Sequence, residues 1–531
     1  MDLTSQRAGR VRPEEARDGD PLVLPAAQPA PVPGRRGRTL VVALLVLAAL
    51  LRFGTWSHLW LDEALSVNIA RLPLGDLPEA LRHDGAPPVY YVLLHGWMRV
   101  FGTGDFAVRA LSGLFAVGVI PLTWLAAKRV GGTRMAWAAA ILVATSPFAI
   151  RYGTEVRMYS LVMVLVLTGF LAARSLLDGG GTGHAALLAL VTGLALLTHY
   201  WSFYLLATAV VALAVVAKRG VDPARSGARR GLLALGAGCL LFVPWAPAFL
   251  DQLRQTGTPW GRAGELRSLF DTVTHFAGGY WNPGIILGLL YFGLIVLAVF
   301  GSPVDDRRVL LDLRPRSPGR ELAALAFGAL VVALVAGKIS GSAFAVRYAA
   351  VLFPFMIILV ALGTDVFTDR RARGGILALA AVLGLWASVP NLMGERTNAP
   401  RVASALEANA RPGDVVAYCP DQLGPSVTRE LQAEGLVQLT FPRAAPPDIV
   451  DWVDYQKVVK ATSTSGFARM LLDRAGPEHD VWVVWAPGYR TLGTRCQNLI
   501  ERLGDARPDN QRVVKVSTKY FERPGLVRFR P

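Results

Sequence analysis

Eleven stretches of this chain are long and apolar enough that a hydrocarbon layer is their natural surrounding. They fall at about 39–53, 106–127, 135–150, 159–173, 184–198, 201–217, 231–247, 284–300, 321–337, 348–366 and 375–389. Each holds roughly 15–22 residues, and a helix needs about 20 to cross a bilayer core of about 30 Å. The chain is 53% hydrophobic and 18% charged, more apolar and less charged than soluble domains. The reading is a polytopic α-helical membrane protein of about 11 spans.

The net charge of +16 could signal nucleic acid or an anionic surface. Its distribution decides between them. Lys and Arg gather in the polar tail 1–38 and in alternate loops, 128–134, 174–184, 218–230, 305–320 and 369–373. That alternation is the positive-inside pattern, which puts the tail and these loops in the cytosol and makes membrane lipids, not nucleic acid, the partner. The tail lacks apolar residues to bury and reads as disordered. The first apolar block begins too late for a cleavable signal and reads as a retained span. An odd span count then places everything after 390 outside, in a multi-pass protein of the plasma membrane. Cys239, Cys419 and Cys496 are too few for a disulfide scaffold or a cysteine metal cluster. Cys419 and Cys496 share the exported segment, where two thiols pair if their Cα atoms approach within about 7 Å.

From 390 to 531 the apolar runs shorten to strand length. Strands are expected at 414–418, 436–440, 480–485 and 512–516, with helices at 426–434, 466–475 and 491–503. This alternation predicts a C-terminal extracytoplasmic α/β domain with a mainly parallel sheet.

The chemistry collects on the outer side. The first outer loop, 54–105, carries Asp62 and Glu63 beside Trp60 and two leucines, surroundings that disfavour charge and so favour a functional carboxylate. A solvated pair capping an interfacial helix is the plainer alternative. The same loop holds His83 and Asp84. Arg151, Glu155, Arg157 and Tyr159 follow the third block, and the spacing places Arg151, Glu155 and Tyr159 on one helical face, as a salt bridge at a span end also would. His199 lies in an aromatic belt, where anchoring is the commoner role. Arg254, Lys338, Arg347 and Tyr348 supply cations and an aromatic ring at the same surface, suited to a phosphate whose lipid tail stays in the bilayer or to ordinary headgroups. No GxxxxGK[ST], GxGxxG after a strand, or HExxH occurs, which argues against nucleotide hydrolysis and a catalytic zinc. A divalent metal on Asp62, Glu63 and Glu155 remains open.

Six segments in order resemble the motifs of the GT-C glycosyltransferases, within the family that includes protein O-mannosyltransferases and the lipid A aminoarabinose transferase. They are LWLDEALS, APPVYYVLLHGWMRVFG, RYGTEVRMYSL, LTHYW, PWAPAFLDQLR and VRYAAVLFPF, within residues 39–365. The resemblance implies a GT-C-like transmembrane catalytic domain over 39–389 and an inverting transferase that takes sugar from a polyprenyl-phosphate donor. It implies Asp62 as the base, with Glu63 beside it. Glu155, His83, Asp84 and His199 fall at the acceptor or ion site; Arg347 and Tyr348, then Lys338, Arg254 and Arg157, fall at the donor phosphate. The acceptor would be an envelope glycan, lipid or protein. The preference for Arg over Lys and the abundance of Ala suit a GC-rich bacterium, for which mannose or arabinofuranose on decaprenyl phosphate is expected. Two other readings compete. A flippase would place charges near the bilayer midplane in paired halves, and a non-catalytic glycan-binding scaffold would not need the Asp62–Glu63 pair. The segment after 390 has no expected counterpart in the two members named.

Overall fold

The apolar blocks are helical because their backbone polar groups, removed from water, must be satisfied within each segment. A computed structural model describes residues 35–256, 261, 263–340 and 343–531. The expected tail lies outside the described residues except for 35–38, which already belong to the first helix, Arg35–Leu51; Arg262 also lies outside them.

Among the described residues, seven helices are long and apolar enough to cross a membrane, and Thr39–Leu51, Thr182–Leu196 and Phe353–Asp365 are shorter apolar ones. The longest of the seven, Asp105–Ala144, is two helices joined at Gly131 and Gly132; Gly132 has φ +79°, a conformation that side chains with a Cβ rarely adopt. Two of the expected blocks therefore run on through one kink instead of a loop. Large apolar side chains such as Leu289, Val331 and Val382 point outward, as lipid contact requires. The chain is a multi-pass membrane protein. Arg52 is buried at the end of the first helix and donates to the carbonyls of Ala48, Ala116, Val143 and Ala144, tying that helix to both halves of the kinked one.

After Arg370–Met393 the chain builds a five-stranded sheet in the order Val437–Thr440, Val415–Cys419, Val481–Trp485, Gly525–Phe529, Asn510–Val514. The first three strands are parallel, and Gly525–Phe529 runs antiparallel to both of its neighbours, so the sheet is mixed rather than mainly parallel, with two parallel and two antiparallel pairings. The final strand, Gly525–Phe529, was not among those expected from the sequence. It completes the sheet by pairing with Val481–Trp485. Val415–Cys419 is buried along its whole length, which is why it reads as an unbroken apolar run. Helices Thr464–Ala475 and Arg495–Ala506 pack on one face, Ala399–Asn409 and Gly424–Glu430 on the other. Cys419 and Cys496 are disulfide-bonded with Cα atoms 5.5 Å apart, joining a central strand to a covering helix.

This sheet unit rests on the loop that precedes Asp105. Arg429 pairs with Asp105 at 2.7 Å, His58 with Glu430 at 3.1 Å, and Asn68 donates to the Asp448 carbonyl at 2.8 Å. The Trp452 N–H donates to the His83 carbonyl at 3.1 Å. The docking brings the C-terminal unit over the short helix Leu61–Arg71.

Candidate active site

Asp62 and Glu63 occupy the first turn of helix Leu61–Arg71. Consecutive helical residues diverge by about 100°, so the two carboxylates face different surroundings. Glu63 is wholly buried. Arg109 grips it in bidentate fashion, Nε to Oε1 at 2.7 Å and Nη2 to Oε2 at 2.6 Å. The Val156 N–H donates to Oε1 at 3.1 Å, and Arg396 Nη1 lies 3.4 Å from Oε2. Burial pushes the Glu63 carboxyl up, but the two guanidiniums outweigh it and hold it below the usual range.

Asp62 has a different environment. Its Oδ2 is buried, makes no hydrogen bond, and has Arg347 Nη1 at 3.3 Å as an ion-pair partner. Arg347 belongs to the 3-10 segment Val346–Val351, and its guanidinium lies 5.7 Å from the centre of the Tyr348 ring. The His199 ring is 5.3 Å from Tyr348 and 5.8 Å from Tyr159. Burial, reinforced by Arg157 and Arg347, drives the His199 imidazole down to about 3, so it is neutral at physiological pH. Arg157 donates to Ser66, one helical turn beyond Asp62, at 3.2 Å. Asp84 accepts from the Tyr91 hydroxyl at 2.9 Å, and burial raises its pKa.

Glu155 lies 3.5 Å from Arg151 and 4.0 Å from Arg396. Burial raises its pKa although both arginines oppose the shift. The Arg151–Glu155 pair does form, but not on one helix face with Tyr159. Helix Pro147–Gly153 ends first, and Tyr159 opens the next helix. His83 turns to the C-terminal unit, Nδ1 against Asp451 Oδ1 at 3.0 Å. Lys338 and Arg254 are exposed on their helices, and among the described residues no ion pair or hydrogen bond joins them to Asp62.

The profile of the dolichyl-phosphate-mannose-protein mannosyltransferase family matches residues 85–246. The fold is similar to that of ArnT from Cupriavidus metallidurans in the apo state. That likeness has TM-score 0.61 and 14% identity over 93% of this chain and 98% of that one, so it extends into the segment after 390, for which no counterpart was expected. The same protein bound to undecaprenyl phosphate gives 0.56 at 13% identity, with the same coverage. The arabinofuranosyltransferase AftD from Mycobacteria gives 0.53 at 14% identity, over 93% of this chain but 40% of that one. No curated protein matches by sequence.

The chain shares the fold of ArnT, and residues 85–246 within it match the mannosyltransferase family's profile.

Three residues of this candidate site were not singled out from the sequence. Arg109 sits four residues into an apolar block, and a buried charge there was the available signal. Arg396 lies just past the last long helix, where it also donates to Thr154 and Asn391. Glu522 accepts the Leu61 N–H from a position 461 residues away, a relation no local pattern carries. A metal on Asp62, Glu63 and Glu155 would have to compete with four arginines already neutralising those carboxylates. Among the described residues, the donor atoms that come within ligand spacing of one another are those of His58, Asp105 and Glu430, and there Arg429 holds Asp105.

Proposed function

We propose that the transferase moves one sugar from a polyprenyl-phosphate carrier to a hydroxyl of an envelope glycan, lipid or protein on the outer face of the plasma membrane, with Asp62 as general base. The observation that carries this reading is the combination at Asp62 of a free carboxylate lone pair and a cation 3.3 Å away. A sugar hydroxyl is a poor nucleophile at neutral pH and needs a base within about 3 Å. Asp62 takes the hydroxyl proton as the acceptor oxygen bonds to the anomeric carbon from the face opposite the phosphate. The anomeric C–O bond breaks, its electron pair passes to the phosphate, and configuration inverts. The leaving group already carries charge and needs cations rather than an acid; Arg347 and Arg157 are the candidates. Unmet buried polar atoms near Asp62, including Trp60 Nε1, Arg157 Nε and the Tyr159 hydroxyl, are groups a bound sugar or phosphate could satisfy.

Mannose and arabinofuranose are the sugars this reading favours; the matched family is named for the first and AftD for the second. The Cys419–Cys496 disulfide supports an exported C-terminal unit, because such bonds persist in oxidising compartments. The test is Asp62→Asn, which keeps shape and removes basicity. Turnover should fall by about 10²–10⁴ while donor still binds. Near-normal transfer by this variant would remove Asp62 as the base.

A further inference from the structure

Helix Leu61–Arg71 begins without a cap of its own. Its N-cap residue is Trp60, which has no acceptor to offer the first N–H groups. A buried helix end left in that state is costly, and here the deficiency is met from the far end of the chain. Glu522, 4% exposed, stands between strands Asn510–Val514 and Gly525–Phe529. Its Oε1 accepts the Leu61 N–H at 3.1 Å, and its Oε2 accepts the Thr397 hydroxyl at 2.5 Å. Its backbone is held too: the Glu522 N–H donates to the Arg396 carbonyl at 2.8 Å, and the Asn398 N–H donates to the Glu522 carbonyl at 3.1 Å. Beside it, Phe521 meets the Trp60 ring edge-to-face at 5.0 Å.

We propose that Glu522 is a positioning residue for sugar transfer, an external N-cap that fixes the first turn of helix Leu61–Arg71 and thereby the aim of Asp62. This rests on the reading of Asp62 as base. A carboxylate at a helix N-terminus also meets the positive end of the helix dipole, so capping and charge favour the same contact. Leu61 immediately precedes Asp62, so a shift of its N–H moves the carboxylate that must meet the acceptor proton. Segment 396–398, which locks Glu522, also sends Arg396 to Glu63. The C-terminal unit thus grips the helix at its end and on its buried side. A sheet unit unrelated to the chemistry would not need to reach this turn.

The experiment uses the full chain in nanodiscs, with synthetic decaprenyl-phosphoryl mannose and arabinofuranose as donors and an alkyl glycoside as acceptor. Hydrogen exchange is followed in parallel at the amides of 61–65. Glu522→Ala should lower kcat by about 10- to 100-fold, the scale of a misplaced catalytic group, with donor KM unchanged. The amides of 61–65 should exchange faster. Glu522→Gln keeps an acceptor for the Leu61 N–H and should restore kcat to within a few-fold of the parent and slow exchange again. Wild-type kcat in Glu522→Ala, alongside an inactive Asp62→Asn, would overturn the positioning role and leave the base intact. Unchanged exchange at 61–65 would overturn the cap itself. An active Asp62→Asn is the separate result that removes the base, and the exchange arm still decides the cap. If Glu522→Ala does not accumulate, Glu522→Asp decides: a carboxylate withdrawn by one methylene should lower kcat at constant donor KM, and undiminished kcat refutes the proposal.

Discussion

Glu63 and Asp62 are adjacent acidic residues on one helix, and the two sides of that helix treat them oppositely. On the Glu63 side, two arginines and a backbone N–H occupy the carboxylate, and Arg109 is in turn held by the Ser57 and His58 carbonyls. Nothing there is left to accept a proton. On the Asp62 side, one guanidinium approaches at 3.3 Å and one oxygen makes no hydrogen bond. A saturated carboxylate is a structural tie; an undersatisfied one beside a cation can do chemistry. Under the proposed reading, the difference accounts for one base from a pair of acidic residues.

Substitution can break that comparison. Asp62→Asn should cost the most turnover, as argued above, yet leave the unfolding midpoint unchanged, because Asp62 anchors little. Glu63→Gln should do the reverse. It leaves Arg109 buried without the carboxylate that grips it and Arg396 with only Glu155 at 4.0 Å, which costs about 3–5 kcal/mol of stability. Turnover should then fall only as far as the folded fraction does. Denaturant unfolding of both variants in the same detergent is the check, and equal midpoints would show that the two sides do not differ in kind.

A smaller effect sharpens the open side. Arg347→Ala should weaken binding of decaprenyl phosphate by about 1.5–3 kcal/mol, the value of a charge-assisted hydrogen bond. Lys at this position should rescue only part, since it lacks the planar fork. Titration of the purified variants reads this directly. Unchanged affinity in Arg347→Ala would move the phosphate towards Arg157, which already sits one turn from Asp62 on Ser66.

Legibility followed the range of the interaction. The spans were visible because hydropathy is a local property, and all eleven apolar blocks became helical. Asp62, Arg347, Tyr348 and His199 could be singled out because a polar group at a membrane surface contradicts its flanks. The partners that distinguish Asp62 from Glu63 could not. Arg109 is 46 residues from Glu63, Arg396 is 333 away, and Glu522 is 461 from Leu61. None has a spacing that a helix or strand period would reveal. The mixed sheet has the same cause: Gly525–Phe529 is short, carries Arg528 and follows Pro524, so its strand character comes from pairing with Val481–Trp485. Lys338 and Arg254 show the converse, cations at the expected surface that tertiary structure leaves exposed.

The smallest expected effect concerns His199, which tests whether the open side holds a second acid–base group. The Trp201 N–H donates to His199 Nδ1 at 3.2 Å, so that nitrogen carries no proton in the folded protein. Burial, then Arg157 and Arg347, depress its pKa from 6.5 to about 3. A histidine depressed in this way contributes stability that is fully present above pH 6.5. That contribution is lost as pH falls towards 3, because the unfolded chain takes up the proton and the folded chain resists it. His199→Gln should therefore flatten the fall in unfolding midpoint across that window. Its pH–rate profile between about 5 and 8 should keep the parent's shape, since no proton moves on His199 there. A modest drop in kcat from lost packing against Tyr348 and Tyr159 is expected. If His199→Gln instead abolished a limb of the profile near pH 6.5, the imidazole would be exchanging protons in the reaction. Asp62 would then share the base's role with it.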